Sequence, residues 1–253
     1  MSGRALACTA ASVVLALTPS ALAVAVDSSG GPSAQQLAQE AKKNLLAATS
    51  VHLKLTDHSA GTAANKNSPT FMDLTLDRKG NCAGTLRMGG NGGSVELIKQ
   101  GVQVWMKPDT AFWKAQVPGP QGGAVAQLFK DRYIHGTTND SMLKGLSGTC
   151  DLNAFQKQVD TGPSSAGKSL TKGAETTVDG TKVIPLTGTE NGKRAVLYVS
   201  SSTPYRLVEA TQQGRGTDTT LTFSDYDKPV PSATPSPDQS VDVGKLQQRL
   251  QST

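Results

Sequence analysis

The pattern with the most explicit chemistry is a phosphate-loop sequence at 162–169, which reads Gly-Pro-Ser-Ser-Ala-Gly-Lys-Ser and matches G-x-x-x-x-G-K-[ST]. Such a loop binds phosphate between a buried strand and a helix, because backbone N–H groups and the helix N-terminus must point at the anion. Here a polar, helix-like segment precedes the loop and strand-like residues follow it. We therefore predict a flexible Ser/Gly connector at 162–169 and no nucleotide site.

The histidines and serines form no recognisable catalytic or metal-binding motif. His52, His58 and His135 are the three histidines, and none lies in an H-E-x-x-H or H-x-x-x-H arrangement. The nucleophile-elbow pattern G-x-S-x-G is absent from the sequence. We predict no metal, no cofactor and no enzyme activity. A hydrolase that uses two acidic residues distant in sequence stays open as an alternative.

The N-terminus indicates export. Arg4 precedes an apolar run from Ala5 to Leu17, and the small-residue motif Ala21-Leu22-Ala23 follows. The run is shorter than the roughly 18 to 20 residues of a membrane-spanning helix. We predict a cleaved signal peptide at 1–23 and a flexible leader at 24–32, with an uncleaved anchor as the alternative. The protein is then secreted or held in the extracytoplasmic cell envelope.

The cysteines fit an oxidising compartment. Cys8 lies in the predicted signal peptide, so Cys82 and Cys150 form the one remaining pair among the three cysteines of the sequence. A disulfide between them is the natural prediction for an exported protein. A reactive thiol or a metal-binding pair is the alternative.

The composition favours a β-rich binding protein over a nucleic-acid-binding one. The sequence is 36% hydrophobic and 4% aromatic with 26 glycines, which suits many short strands and turns. The net charge of +5 is spread along the chain without a block of Lys or Arg. We predict no nucleic-acid partner. A basic exterior suits an anionic lipid or wall polymer, although solubility alone also accounts for it.

One helix is predicted at the start of the predicted mature chain. Leu37, Ala41 and Leu45 recur at a spacing of four residues and define one apolar helix face. Ser33 is a suitable N-cap, and Gln36 stands three residues later as its capping-box partner. This pattern predicts an amphipathic helix that begins after Ser33.

Alternation with a period of two follows this helix and predicts strands with one apolar and one wet face, which is typical of antiparallel sheets. The apolar positions are Val51, Leu53, Leu55, Met72, Leu74, Leu76, Leu86, Met88, Val95, Leu97, Val102, Val104 and Met106. Strands return in the last third, where Asp179-Gly180 and Asn191-Gly192 mark tight turns. We predict one domain over 33–226, then a Pro-rich segment and a short C-terminal helix over 227–253.

The middle third is expected to cover the apolar face of the sheet. Segments 124–129 and 151–159 read as short helices. Aromatic and apolar residues cluster around them, either as ordinary core or as the lining of a cavity for apolar ligands. The candidate ligand-cavity residues are Trp105, Phe112, Trp113, Leu128, Phe129 and Tyr133.

The order of elements, together with the segments 95–107, 112–114, 197–199 and 204–207, resembles the actinobacterial LppX/LprG-type lipoproteins. It is more remotely similar to the LolA/LolB lipoprotein carriers. The resemblance implies an α+β fold, mainly antiparallel β, in which helices cover the concave face of a curved half-barrel sheet. It also implies a hydrophobic cavity for acyl chains and a carrier role in the cell envelope.

One feature departs from that family. Its members are tethered through a lipidated cysteine after a complete apolar segment, whereas Cys8 precedes most of the apolar segment. This position argues against lipid anchoring. We predict a monomeric, non-catalytic carrier that binds a lipid or lipidated molecule near a membrane surface. The alternative is a cell-surface structural or interaction protein without a ligand cavity.

Overall fold

The computed structural model describes residues 31–117, 119–161, 170–190 and 192–244. The chain divides into two units, Met1–Gly31 and Pro32–Thr253, and the fold described below is that of the second. The predicted signal peptide, the phosphate-loop pattern and most of the predicted C-terminal helix lie outside the described residues.

Thirteen strands form one open sheet with the order β13-β6-β5-β4-β3-β2-β1-β12-β11-β10-β9-β7, and β8 pairs with β9. The strands are β1 Ser50–Asp57, β2 Pro69–Asp77, β3 Cys82–Met88, β4 Ser94–Gln100, β5 Gln103–Pro108, β6 Tyr133–Thr137, β7 Thr171–Lys172, β8 Thr176–Val178, β9 Thr181–Glu190, β10 Lys193–Ser200, β11 Leu207–Gly214, β12 Thr217–Ser224 and β13 Ser240–Asp242. The β13–β6 pair is parallel, and the other strand pairs are antiparallel.

Six α-helices accompany the sheet in the described part of the chain. They are α1 Ala34–Ala47, α2 Ala60–Ala64, α3 Thr110–Gln116, α4 Gln121–Leu128, α5 Ser141–Ser147 and α6 Leu152–Thr161. The predicted helices over 124–129 and 151–159 are thus present as α4 and α6, whereas α2, α3 and α5 were not delimited from the sequence. The fold class, α+β with a mainly antiparallel sheet, is confirmed.

The sheet has two chemically different faces. On strands β1 to β6 the buried residues Leu53, Leu74, Leu97 and Met106 share the face that we call the inner face, and the alternating polar residues lie on the outer face. This is the predicted alternation. Val102 is an exception, because it lies in the turn between β4 and β5 and is exposed.

Helix α1 begins as the sequence predicts. Gln36 N–H donates to Ser33 Oγ at 3.2 Å, and Ser33 N–H donates to Gln36 Oε1 at 2.8 Å, which completes the capping box. The apolar face of α1 packs Leu37 and Ala41 against Leu186 of β9 and Val199 of β10. This helix therefore covers the end of the sheet formed by β9 to β11.

The other helices cover the opposite half of the inner face. Leu143 of α5 and Leu152 of α6 are fully buried in the same core cluster as Leu53, Leu97 and Met106. The two halves of the cover meet where α6 contacts α1. Removal of this apolar surface from water is the main favourable contribution to folding of such a layer.

A buried amide joins α6 to α1. Gln156, 6% exposed, donates from Nε2 to Leu45 O and to Ala48 O, both at 2.9 Å. The last carbonyls of a helix have no partner within it, so Gln156 satisfies two groups that burial would leave unpaired.

The chain beyond β12 returns to the sheet. The predicted Pro-rich segment carries Pro231, whose carbonyl accepts from Gln100 Nε2 at 3.1 Å. It leads to β13, which pairs with the edge strand β6, and Arg132 donates to Ser240 O at 3.1 Å. The segment 227–253, predicted to lie beyond the domain, thus adds a strand to the same sheet.

The predicted disulfide is confirmed. Cys82 at the start of β3 is bonded to Cys150, which ends the short 3₁₀ turn after α5, with the two Cα atoms 5.4 Å apart. Both residues are fully buried. The bond ties the α5–α6 part of the cover to the sheet across a sequence separation of 68 residues.

The amide tie yields a first prediction. Gln156→Ala leaves the carbonyls of Leu45 and Ala48 buried without donors, which should lower the free energy of unfolding by about 2 to 3 kcal/mol. Gln158→Ala, on the exposed face of the same helix, should change it by less than about 0.5 kcal/mol. Urea denaturation followed by circular dichroism measures both, and equal losses in the two variants would show that the amide is not specifically required.

The disulfide yields a second prediction. Replacement of Cys82 and Cys150 together by Ser should lower the free energy of unfolding by about 4 kcal/mol, because the unfolded chain regains the freedom of a long loop. Guanidinium denaturation of the oxidised wild type, the reduced wild type and the double variant checks this. The reduced wild type should match the variant, and an unchanged midpoint in both would contradict the prediction.

Candidate functional site

Three of the six predicted ligand-cavity residues meet in the core. Phe112, Trp113 and Phe129 are 9%, 5% and 7% exposed. The ring centroids of Trp113 and Phe129 are 5.4 Å apart in a stacked arrangement, and Phe112 meets Trp113 edge-on at 5.8 Å. We call these three residues the aromatic group. They belong to the core cluster that lies on the inner face of the sheet.

Trp105 lies on the outer face instead. Its neighbours Val104 and Met106 are buried on the inner face, so the alternation of β5 directs Trp105 outward. There it stacks on His135 of β6 with ring centroids 4.6 Å apart. His135 in turn forms a hydrogen bond with Gln103 through Nε2 at 2.8 Å.

Tyr133 and Leu128 are also separate from the aromatic group. Tyr133 donates from its hydroxyl to Glu96 Oε2 at 2.6 Å on the outer face, and Lys107 Nζ lies 4.9 Å from the centre of the tyrosine ring. Leu128 ends α4 and is 66% exposed. The structure therefore brings together Phe112, Trp113 and Phe129 and leaves the other three predicted residues elsewhere.

A carboxylate cap positions the helix that carries two of the three rings. Asp109 Oδ1 accepts from Phe112 N–H at 2.7 Å as the N-cap of α3, and its Oδ2 accepts from Ser94 N–H at 2.9 Å. Gly93 permits this close approach, because a Cβ atom there would lie 2.1 Å from Phe112 N. The glycine and the cap hold α3 at the start of β4.

Helices α3 and α4, which we call the aromatic cover, pack more closely on each other than on the strands. Their closest approach is at Gly122, where a Cβ atom would lie 2.7 Å from Val117 O and 3.1 Å from Trp113 O. The aromatic cover thus reaches the inner face mainly through side chains. The rings of the aromatic group lie in the space between the aromatic cover and the sheet.

Three surface clefts have volumes of about 550, 420 and 430 Å³. The first lies beside Phe71 and Arg87, the second beside Glu96 and Lys130, and the third beside Arg206. Polar and apolar side chains alternate in their walls, and none of these three clefts is lined by the aromatic group. The space between the aromatic cover and the sheet is occupied by the packed side chains of the core cluster.

One polar atom in that space is unsatisfied. Trp113 Nε1 is buried and has no hydrogen-bond partner, and no other buried side-chain nitrogen or oxygen in the described residues shares this condition. Because most buried polar groups in proteins are paired, an orphan donor at this position requires an explanation.

A second group, on the outer face, was missed from the sequence. His52 Nε2 lies 2.7 Å from Asp73 Oδ1, and His52 Nδ1 lies 3.1 Å from Ser224 Oγ. The strand register β2-β1-β12 brings these residues together. No local pattern in the sequence signals a contact between positions 52 and 224.

Serine, imidazole and carboxylate in this order are the parts of an acyl-transfer site, but such a site also needs donors for an oxyanion. Here Asp225 Oδ2 lies 3.8 Å from His52 Nδ1, so the residue beside Ser224 is a carboxylate, which accepts hydrogen bonds and does not donate them. We therefore interpret the group as a polar tie between three strands. Within the described residues, no group of three or more His, Cys, Asp or Glu side chains is arranged to hold a metal ion.

Neither a protein-family model nor a curated protein matches this chain. Among solved structures, the chain is similar to LprF from Mycobacterium bovis, with a TM-score of 0.51 and 18% identity over 82% of this chain and 100% of that chain. The chain shares the fold of LprF. The resemblance to LppX/LprG-type lipoproteins predicted from the sequence is confirmed as a likeness of fold.

Two further solved structures are more distant. The lipoprotein LppX from Mycobacterium tuberculosis gives a TM-score of 0.49 and 14% identity over 79% of this chain and 98% of that chain. A LolA superfamily protein from Nitrosomonas europaea gives a TM-score of 0.23 and 12% identity over 82% and 96%. In the described residues of this chain, no helix combines the length and the apolar character needed to cross a bilayer.

The outer-face contacts of Tyr133 shift the acidity of three groups. Burial alone raises the pKa of the Glu96 carboxyl, but hydrogen bonds from Tyr133 and Lys107 outweigh it and leave the pKa below its usual value of 4.5. The hydrogen bond to Glu96 raises the pKa of the Lys107 ammonium. Burial and the same carboxylate raise the pKa of the Tyr133 hydroxyl.

These shifts give a third prediction. Because the pKa of Glu96 is lower in the folded state, its contacts stabilise the protein above about pH 4.5 and are lost as the pH falls through the folded-state pKa. Glu96→Gln should therefore lower the free energy of unfolding at pH 7, by less than about 1 kcal/mol because the pair is partly exposed. The difference from wild type should shrink in urea titrations as the pH falls through the folded-state pKa of Glu96, and a difference independent of pH would show that the contact is not electrostatic.

Proposed function

We propose that this chain is an extracytoplasmic, non-catalytic carrier of an amphiphile. Its acyl chain would lie between the aromatic cover and the inner face of β4 and β5, in contact with Phe112, Trp113 and Phe129. The observation that carries the proposal is that three aromatic side chains fill this space and that one of them, Trp113, has a buried donor without a partner. The shared fold with LprF is consistent with it.

Binding requires this space to open. The structure is the closed form, in which aromatic rings occupy the volume that a ligand would take. An acyl chain that lies between the displaced rings and the strands keeps the inner face dry, and each buried methylene contributes about 0.8 kcal/mol. A ligand that binds the open form shifts the population toward it in proportion to its affinity.

The contacts that hold the covering helices suggest that α3 and α4 move while α5 and α6 do not. The disulfide between Cys82 and Cys150 and the amide of Gln156 hold the α5–α6 part against the sheet and α1. The aromatic cover is held by the Asp109 cap, by ring packing and by exposed hydrogen bonds between the end of α3 and the loop at Lys66, none of which is covalent. We infer that α3 and α4 move away from β4 and β5 while α5 and α6 stay in place.

The location and partners are part of the same proposal. A buried disulfide suits an oxidising compartment, which supports the predicted export through the signal peptide at 1–23. The net charge of +5 suits approach to an anionic membrane surface, where the chain would receive or deliver its ligand as a monomer. The proposed ligand is a lipid or a lipidated molecule.

Native mass spectrometry of the protein exported from a lipid-rich bacterial host is the fourth test. We expect a bound mass of lipid size that disappears after denaturation and solvent extraction. A bare polypeptide mass, even after incubation with mixed lipids, would contradict the carrier proposal and favour a cell-surface interaction protein.

A matched pair of variants on α4 locates the site. Ala126 is 3% exposed and lies between the core cluster and the second cleft, so Ala126→Leu adds volume beside the aromatic group and should lower the fraction of lipid-bound protein several-fold. Ala124→Leu places the same side chain on the exposed face of the same helix and should leave lipid binding unchanged. Circular dichroism confirms that both variants are folded, and equal lipid loading of the two would place the ligand elsewhere.

A further inference from the structure

Trp113 combines near-complete burial with an unused donor. Its side chain is 5% exposed, and its Nε1–H has no acceptor in the described residues. The indole nitrogen can only donate, so it cannot be satisfied by a neighbouring donor. Buried tryptophans usually direct this N–H at a partner.

Two acceptors close to Trp113 in the sequence, the Asp109 carboxylate and the Trp113 carbonyl, already accept other hydrogen bonds. Asp109 uses Oδ1 for Phe112 N–H and Oδ2 for the N–H and hydroxyl of Ser94. The carbonyl of Trp113 itself accepts from Val117 N–H at 2.9 Å. The rings of Phe112 and Phe129 flank the indole and offer no acceptor oxygen.

A water molecule would not resolve the deficit. A buried water needs two to four polar partners, and the aromatic group supplies only the one donor. A charged acceptor such as a carboxylate or phosphate would lose its hydration among aromatic rings, at a much larger cost than a neutral group. The chemistry of the site therefore favours a neutral carbonyl oxygen attached to an apolar chain.

We propose that Trp113 Nε1 donates a hydrogen bond to the carbonyl oxygen of an acyl ester or acyl amide in the bound amphiphile. This inference rests on the proposed carrier function and specifies its ligand class. The acyl chain fills the space under the aromatic cover, and the carbonyl at its head is read by Trp113. Trp113 is thus the residue that distinguishes acylated molecules from hydrocarbons and ethers of the same shape.

A comparison of two lipids tests this fifth prediction. Dipalmitoyl phosphatidylcholine and its dihexadecyl ether analogue share headgroup and chain length, but the ether analogue lacks both carbonyls. We expect the protein to bind the diester about tenfold more tightly than the diether in titrations followed by native mass spectrometry, since the diether leaves the buried donor unpaired.

Two variants separate the role of the N–H from that of the ring. Trp113→Phe should lower affinity for the diester about tenfold more than affinity for the diether, so that the preference of the wild type is lost. Trp105→Phe, on the outer face, should retain the wild-type preference. Equal affinities of the wild type for the two lipids, or binding of neither, would overturn the role of Trp113, while the carrier function is decided by the native mass of the exported protein.

An NMR measurement on the wild-type protein avoids the possibility that a substitution changes the fold. The sequence has two tryptophans, so a ¹⁵N-labelled sample gives two indole N–H resonances in a heteronuclear NMR spectrum. Addition of the diester should move the Trp113 resonance downfield and slow its exchange with solvent, whereas the diether should not. An identical response to both lipids would overturn the proposal.

Discussion

A sheet with one apolar face is stable only when that face is withdrawn from water, and this requirement governs the whole structure. Helix α1 covers β9 to β11, and α3 to α6 cover β1 to β6. Gln156 joins the two covering groups through the buried end of α1, where free carbonyls would otherwise be unpaired. The helices are short because each needs only to span a few strands.

The same requirement explains where the candidate site lies. Where a helix packs closely on the apolar face of a sheet, its side chains leave little room for a ligand. Helices α3 and α4 pack on each other and extend rings to the sheet, so the contact there is made of side chains that have alternative rotamers. An unsatisfied indole in that contact marks it as different from an ordinary core.

Local patterns in the sequence were sufficient for much of the fold. The capping box of α1 and the alternation of β1 to β5 predicted elements that the structure contains, because both signals act within a few residues. The same alternation puts Trp105 on the face of β5 opposite to Val104 and Met106. The candidate cavity residues, however, were chosen because they are close together in the sequence. Position in a strand decides the face, and Trp105 and Tyr133 therefore lie apart from Trp113.

Apart from the disulfide, contacts between distant segments could not be predicted. The pairing of β13 with β6 and the meeting of His52 with Ser224 depend on the register of the whole sheet. Neither carries a local motif. Helix α3 was not predicted from the sequence because its seven residues are too few to show a repeated helical period.

The position of the disulfide gives the molecule a mechanical asymmetry. Cys150 fastens the region after α5 to β3, whereas α3 and α4 have no covalent link to the strands. Opening fluctuations at equilibrium should therefore be larger for α3 and α4 than for α5 and α6, which the disulfide restrains. Reduction of the disulfide would also free α5 and α6, and the difference in mobility between the two parts of the cover would be lost.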